Sequence, residues 1–406
     1  MGRYIAENLS ADSIVMLADR DADALARANG RIATAQVDLT DANAVERIIH
    51  PADLVVSALP ERFGYAAVQQ ALAAGKHVVD ISFWEQDAAR IAALDHLACT
   101  TGTTALLDSG IAPGFSNALL AHFDQQLDHR TTDARIYVGG IPRERSRGFF
   151  APWSIAGLIE EYQRPALCVR NGRCEYVPAL SVTEPIDLPL VGPLEAAITD
   201  GLRSLAHTLP HIPNQAEFTL RYPGHFAQMS ALAALGYFQE RPLQVDSVTI
   251  TAPALSERLL AHAPAHYPNE ALLRDLGFTD STHPYACADG QIVPRTVARA
   301  VLAKAWEMRP EDRDVLVMRV QAHDGVTQYV GDVYAEHTGT ASAMALTTGG
   351  TAALAARAII SDTFTEPGAY PLECVVQHNP GVIAHFIDGL RSLGVQYTET
   401  RTSHSK

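Results

Sequence analysis

The sequence predicts an α/β chain in two parts, a parallel sheet covered by helices on both faces followed by an α+β region with an open mixed sheet. Two observations predict it. As far as Asp108 short apolar segments alternate strictly with amphipathic ones, and beyond it that alternation gives way to a glycine- and proline-punctuated mixture. The length of 406 residues also exceeds what one hydrophobic core usually serves. Boundaries are expected at 1–110, 111–338 and 339–406, the last a helix and tail that pack back on the first part.

The elements follow in order. Residues 2–9 read as a helix, and 13–18 (SIVMLA) as a strand that stops on Asp19. Next come a helix at 22–28, a short strand at 34–37 ending on Asp38, a helix at 42–49 and the apolar strand 54–59. A helix at 65–74 with Gly75 as its C-cap, a strand at 77–81, a helix at 86–99 and a strand at 104–107 complete the series. Short apolar strands of this kind belong in a parallel sheet buried on both faces. After Asp108 we expect strands at 134–139, 174–177, 217–221, 245–251 and 315–322, and helices at 117–123, 154–163, 203–207, 228–235, 295–308 and 341–360. The nearly uncharged stretch 338–360 is rich in Thr, Ser, Gly and Ala rather than Leu, Ile and Phe, which argues for a tightly packed helix and against a membrane span.

In such sheets ligands bind beyond the carboxyl ends of the strands. An acid at the end of the 13–18 strand is what a Rossmann dinucleotide fold needs. Asp19 there would hold a ribose 2′-hydroxyl and favour NAD, although Arg20 beside it leaves NADP possible, and an N-cap is the alternative role for Asp19. Asp38 either borders the adenine or is a solvated turn residue. Ser57, Ala58, Leu59 and Pro60 end a strand in residues that let a cofactor approach, or mark a simple turn, and Asp80 and Ser82 stand at the next strand end. The fold also needs a first strand and a glycine-rich turn against a helix N-terminus to cradle pyrophosphate. Gly2 fits only the last glycine of that turn, so the strand and the earlier glycines would lie upstream of Met1.

Composition narrows the partners. With 46 acidic against 31 basic residues and a net charge of −15, the chain suits neither nucleic acid nor an anionic membrane, and a small molecule is expected instead. Cys99, Cys168, Cys174, Cys287 and Cys374 are scattered, with no Cys-x-x-Cys pair and no apolar leader ahead of them, which points to a reducing cytoplasm. No metal is expected, because Pro264 interrupts the His262/His266 pair and Pro210 interrupts His207/His211. Signatures of an α/β-hydrolase elbow, a zinc protease helix and a phosphate-binding P-loop are absent from the sequence.

A set of motifs then resembles the saccharopine dehydrogenase and lysine 6-dehydrogenase family. They are DLVVSALP at 53–60, KHVVDIS at 76–82, DSGIAPG at 108–114, APWS at 151–154 with Glu161-Tyr162, Glu195 through Asp200-Gly201, TLRYPGH at 219–225 and MALTTG at 344–349. The resemblance implies a Rossmann domain joined to an α+β domain, a homodimer, and hydride exchange between NAD(P) and the nitrogen-bearing carbon of an amino acid. Asp19 and the Thr199-Asp200-Gly201 form put it nearest L-lysine 6-dehydrogenase, which removes the ε-amine. Saccharopine dehydrogenase is the alternative, and a second arginine in the pocket would favour it. A non-catalytic dinucleotide-binding protein is the other alternative.

Amine oxidation needs a carboxylate near the nitrogen to orient the amine and stabilise the iminium. Asp108, at a strand end before a glycine turn, is the first candidate, with a turn cap as its other role, and Asp200 is the second. Arg221 suits the planar α-carboxylate, with Tyr222 beside it. His225 titrates in the right range for an acid or base, or bonds backbone. Gly110, Pro113 and Trp153 are expected at the substrate pocket, and Tyr162 in the core.

Overall fold

In the computed structural model the β-branched runs LVVS and HVVD extend as expected. Leu54–Ser57, His77–Asp80 and Thr104–Leu107 pair in parallel, and Gly368–Pro371, from far down the chain, adds a fourth parallel strand beside Thr104–Leu107. Met16–Asp19 and Ala33–Gln36 form a separate parallel pair. Gly2, which opens the helix Gly2–Leu9, stands between the two pieces, where a Cβ would meet Ala58 at 3.7 Å and Leu17 at 4.0 Å. Residues 1–403 are described, apart from 29, 86, 152, 246–248, 262–269 and 280–282.

Local chemistry sets the helix ends. The side chains of Asp21, Asp41 and Asp87 accept amide hydrogens at the starts of Ala22–Ala26, Ala42–Ile49 and Ala88–Thr101. The helix expected at 65–74 starts earlier, at Glu61, directly after Pro60. The proline's fixed φ suits the residue preceding a helix, so it begins the element instead of marking only a turn.

The second part is a nine-stranded mixed sheet. Its main path runs Gln396–Ser403, Thr327–Glu336, Asp314–His323, Asp133–Pro142, Gln215–Arg221, Gly192–Ile198 and Thr183–Leu188, with Ala166–Arg170 pairing both Gln215–Arg221 and Arg173–Val177. Asp133–Pro142 and Gln215–Arg221 run parallel to each other, and the other pairings are antiparallel. Several of these strands carry no apolar alternation: Thr183–Leu188 and Gln396–Ser403 are largely exposed edges whose Thr, Glu and Gln side chains meet water. The strand expected at 245–251 is instead divided, since Leu243–Gln244 and Thr249–Ile250 belong to two different two-stranded sheets.

One core joins the two parts. The helix Ala343–Ile360 runs through it, and although it is long and apolar enough to cross a membrane, 72% of it is buried inside the protein. Its small residues admit close neighbours: a Cβ on Gly349 would come within 2.7 Å of the Tyr4 ring. Residues 339–406 are more than a helix and tail, because Leu372–His378, Val382–Ser392 and two strands follow that helix. One of those strands completes the parallel sheet and the other edges the mixed sheet.

Candidate active site

Two neighbouring parallel strands end in acids. Asp80 is fully buried; its Oδ2 accepts the Trp84 indole hydrogen at 2.8 Å while Oδ1 has no partner. Asp108, in a left-handed conformation at φ 45°, sits one strand over. The turn behind it closes only on glycine. At Gly114, with φ 132°, a Cβ would lie 2.1 Å from the Gly110 carbonyl oxygen and 2.4 Å from that of Asp108. Gly110 and Pro113 are held within this turn, packed beneath Thr348.

The α+β domain contributes the facing side. After Gly192–Ile198 the chain turns through Asp200 and Gly201 to Arg203, which is buried against the Rossmann part. Arg203 Nη2 donates to the Trp84 carbonyl, its guanidinium lies 3.9 Å from the Phe83 ring centre, and its Nε is 3.6 Å from Asp108 Oδ2. Burial raises the Asp108 carboxyl to about 7; Arg203 holds it down, while Asp80 and Glu373 push it up. Burial likewise raises Asp80, opposed by the neighbouring Ser57 and Ser82 hydroxyls and the Trp84 hydrogen bond, and it raises Glu373, opposed by Ser204.

The strand Gln215–Arg221 adds a polar stripe. Residues two apart share a face, so Glu217, Thr219 and Arg221 point together while Phe218 and Leu220 enter an apolar cluster behind. Burial drives the Glu217 carboxyl well above its usual range, and the charges of Glu161 and Asp200 add to this. Thr219 donates to Glu161 at 2.5 Å and bonds Thr199 at 2.8 Å. Arg221, also buried, lies among the rings of Phe149, Trp153 and Tyr162, 5.2, 5.4 and 5.8 Å from their centres. Its Nε donates to the Tyr162 hydroxyl at 2.9 Å, and its Nη2 has no hydrogen-bond partner.

The orphaned atoms converge. Among the described residues Asp80, Asp108, Arg203, Glu217, Arg221 and Glu373 are the charged side chains that bury a polar atom without a hydrogen-bond partner, and all belong to this region. Buried polar atoms are nearly always satisfied, so buried charges of both signs with incomplete hydrogen bonding, gathered in one region, make it the candidate place for ligand groups. The arrangement can hold carboxylates on the arginines and manage a proton on an amine at Asp108.

Several expected site residues lie elsewhere. Tyr222 occupies the opposite face of its strand, donates to the Pro142 carbonyl and packs under Arg145. His225 is buried against Phe149, Phe226 and Trp306, and burial with the Arg221 charge drives its pKa well below the usual value. Bonded to the Tyr162 hydroxyl at 2.9 Å, it positions Tyr162 and through it Arg221. Asp200 accepts from Leu167 N and pairs with Arg164, which also grips Glu61 of the Rossmann part, so it braces the domain contact. Asp38 is exposed and accepts from the Thr40 amide and hydroxyl, as the turn reading expects. His262 and His266 lie outside the described residues.

Arg203, Glu217, Phe83, Trp84, Glu161 and Glu373 were missed. Glu217-x-Thr219-x-Arg221 has a two-residue polar period that signals a polar strand face, and Arg203 follows a strand whose Gly192, Pro193 and paired alanines hid it.

A dinucleotide fits the first part. The N-terminus of Gly2–Leu9 has no side-chain cap and so offers amide hydrogens to phosphate. Asp19 and Arg20 stand exposed at one strand end, the capping of Ala22–Ala26 being done by Asp21. Ser57 and Ser82 bond each other at 3.2 Å and fix the strand end at Ala58, Leu59 and Pro60, whereas Asp80 belongs to the buried acid group.

Gly201 provides a direct test of this packing. A Cβ there would lie 1.3 Å from Glu217 Oε2, and Glu217 is itself buried. Gly201→Ala is expected to cost about 1–3 kcal/mol of stability by overpacking, read as a lower urea midpoint.

Comparison with known proteins agrees with the geometry. Residues 1–106 match the saccharopine dehydrogenase NADP binding domain and residues 110–395 the saccharopine dehydrogenase C-terminal domain. Saccharopine dehydrogenase (NADP(+), L-glutamate-forming) of Saccharomyces cerevisiae is 24% identical over 388 residues, 86% of this chain and 85% of that protein. The Schizosaccharomyces pombe protein of the same name is 21% identical over 231 residues, 54% of this chain and 50% of that protein. The solved apo saccharopine dehydrogenase (L-Glu forming) from S. cerevisiae superimposes with a TM-score of 0.75 at 18% identity, covering 99% of this chain and 98% of that one.

Proposed function

This chain belongs to the saccharopine dehydrogenase family, and from that premise we propose that it oxidises a carboxylate-rich secondary amine of the saccharopine type at its C–N bond, using NADP. The observation that carries this reading is the pair of buried arginines, Arg203 and Arg221, in each of which one nitrogen makes no hydrogen bond and only a long ion pair, to Asp108 at 3.6 Å and to Glu161 at 3.8 Å. Lysine brings one carboxylate, whereas a saccharopine-type molecule bears carboxylates at both ends. Glu217 and Arg221 are four residues apart, about 13 Å along the strand, so Arg203 near Glu217 and Arg221 beyond it suit a long substrate. The L-lysine 6-dehydrogenase reading rests on Asp19 and on the Thr199-Asp200-Gly201 form.

Arg203 and Arg221 bind the carboxylates and thereby fix the amine beside Asp108. With its carboxyl at about 7, Asp108 is substantially ionised near neutral pH and takes the ammonium proton, leaving a nitrogen lone pair free. Bound NADP supplies the hydride acceptor. As the carbon–nitrogen bond becomes an iminium, the substrate's own carboxylates, held on the arginines, lie near its charge. Water then adds to the iminium carbon, and breakage of that C–N bond leaves an aldehyde and an amino acid.

NADPH formation with saccharopine and with L-lysine, each with NADP and NAD, tests this reading. Saccharopine with NADP is expected to exceed lysine by at least about 100-fold in kcat/KM, because unfilled arginines reject the smaller substrate. Faster turnover of lysine, with ammonia released, would overturn it. Arg20→Ala is expected to reduce the NADP:NAD preference by roughly 10-fold, measured as a ratio of kcat/KM values, if Arg20 meets the 2′-phosphate beside Asp19.

A further inference from the structure

Away from this cleft, three side chains from separate segments meet on one oxygen. Asp124, near the end of the helix Phe115–Gln126, has a fully buried carboxylate. Its Oδ2 is met by His129 Nδ1 at 2.7 Å and by His211 Nε2 at 2.9 Å, while Oδ1 accepts the Thr131 hydroxyl hydrogen at 2.7 Å. The three potential ligand atoms lie within 4.8 Å of one another. We propose that Asp124, His129 and His211 form a binding site for a divalent transition ion of zinc-like character.

The chemistry of the donors favours such an ion. Two imidazoles and a carboxylate suit zinc and its first-row neighbours better than magnesium or calcium, which prefer all-oxygen shells. Three protein ligands leave a coordination position for water, and the histidine side chains are 58% and 38% exposed, so solvent reaches that position. Thr131 holds the carboxylate from behind, as an outer-shell partner does at metal sites.

The backbone has been bent to make the cluster. Asp128 and His129 both adopt left-handed conformations, at φ 51° and 57°, unusual for two successive residues that are not glycine. The turn brings His129 back over the helix that carries Asp124, and its own amide donates to the Asp124 carbonyl. Metal–nitrogen bonds of about 2.1 Å require ligand atoms to part by roughly half an ångström from the present hydrogen-bond distances. Each imidazole would then carry its proton on the nitrogen away from Asp124. The cluster precedes the strand Gln215–Arg221 and Arg221 ends it, so about 20 Å of strand separates the ion from that arginine.

The test uses the full chain, free of any histidine tag and stripped with a chelator. Cobalt(II) titration followed in the visible, then zinc competition, gives the number of sites and their affinities. The wild type is expected to hold one more zinc per chain than His129→Gln or His211→Gln, or to bind that zinc at least about 100-fold tighter. Glutamine can still hydrogen-bond Asp124, and a variant's thermal melt checks that it folds. His129→Gln, on the more exposed side chain, decides the matter if His211→Gln loosens its loop. Identical zinc stoichiometry and affinity in wild type and variants would mean a hydrogen-bonded cluster only, and would overturn the proposal.

Discussion

Arg203→Ala is expected to lower kcat/KM for the amino-acid substrate by about 30- to several-thousand-fold, corresponding to the roughly 2–5 kcal/mol lost when one partner of a buried charge pair is truncated. The residue is buried, stacks on Phe83, donates to the Trp84 carbonyl and stands 3.6 Å from Asp108. Its removal takes away a carboxylate ligand. It also leaves Asp108 without its nearest countercharge, so the acid's pKa should climb further and less of it would be ionised at neutral pH. Lysine at 203 would restore the charge but neither the planar fork nor the stacking on Phe83, and is expected to recover little. Steady-state kinetics on the folded variant measure this; a loss smaller than about threefold would exclude Arg203 from the chemistry.

The second large effect concerns Asp108 and pH. In wild type kcat/KM should rise with pH on an acidic limb whose midpoint lies near 7, as Asp108 ionises, and Asp108→Asn should abolish that limb along with most of the activity. Stability must move the other way. A carboxyl raised from 3.8 to about 7 binds its proton more tightly in the native state than in the unfolded chain. Between those values the unfolded state holds fewer protons, so the contribution is fully present below about 4 and is lost as pH rises through about 7. Asp80, Glu217 and Glu373 are shifted in the same direction and share the slope. Asp108→Asn should therefore flatten part of the fall in urea midpoint between pH 5 and pH 8; an unchanged slope would place Asp108 outside the set of raised acids.

How much of this was readable from residues alone depended on range. The Rossmann part follows from local pattern, since LVVS, HVVD and TALL are short apolar strands with helices between them. The fourth parallel strand, Gly368–Pro371, carries no such pattern; it is placed by pairing with Thr104–Leu107, far away in sequence. Asp108 and Arg221 stood out in the sequence because one ends a predicted strand and the other lies in a matching motif, and both are buried in the candidate site. Tyr222 was misplaced by neglecting that adjacent strand residues face opposite ways. His225 carried the right pKa in isolation, but the aromatic wall that suppresses it comes from Phe149, Phe226 and Trp306, two of them far along the chain. The His129–Asp124–His211 cluster escaped because His211 was paired with its sequence neighbour His207, while its partners lie more than eighty positions away.

The central claim is that Arg203 and Arg221 read the carboxylates of a long substrate against Asp108. The measurement that tests it most directly is a cycle of kcat/KM values, with wild type, Arg203→Ala and Arg221→Ala each assayed on saccharopine and on L-lysine. Each substitution should cost saccharopine at least about 10-fold more than it costs lysine, collapsing the preference between them. Equal losses on both substrates would contradict the claim and reduce the two arginines to structural supports of the cleft.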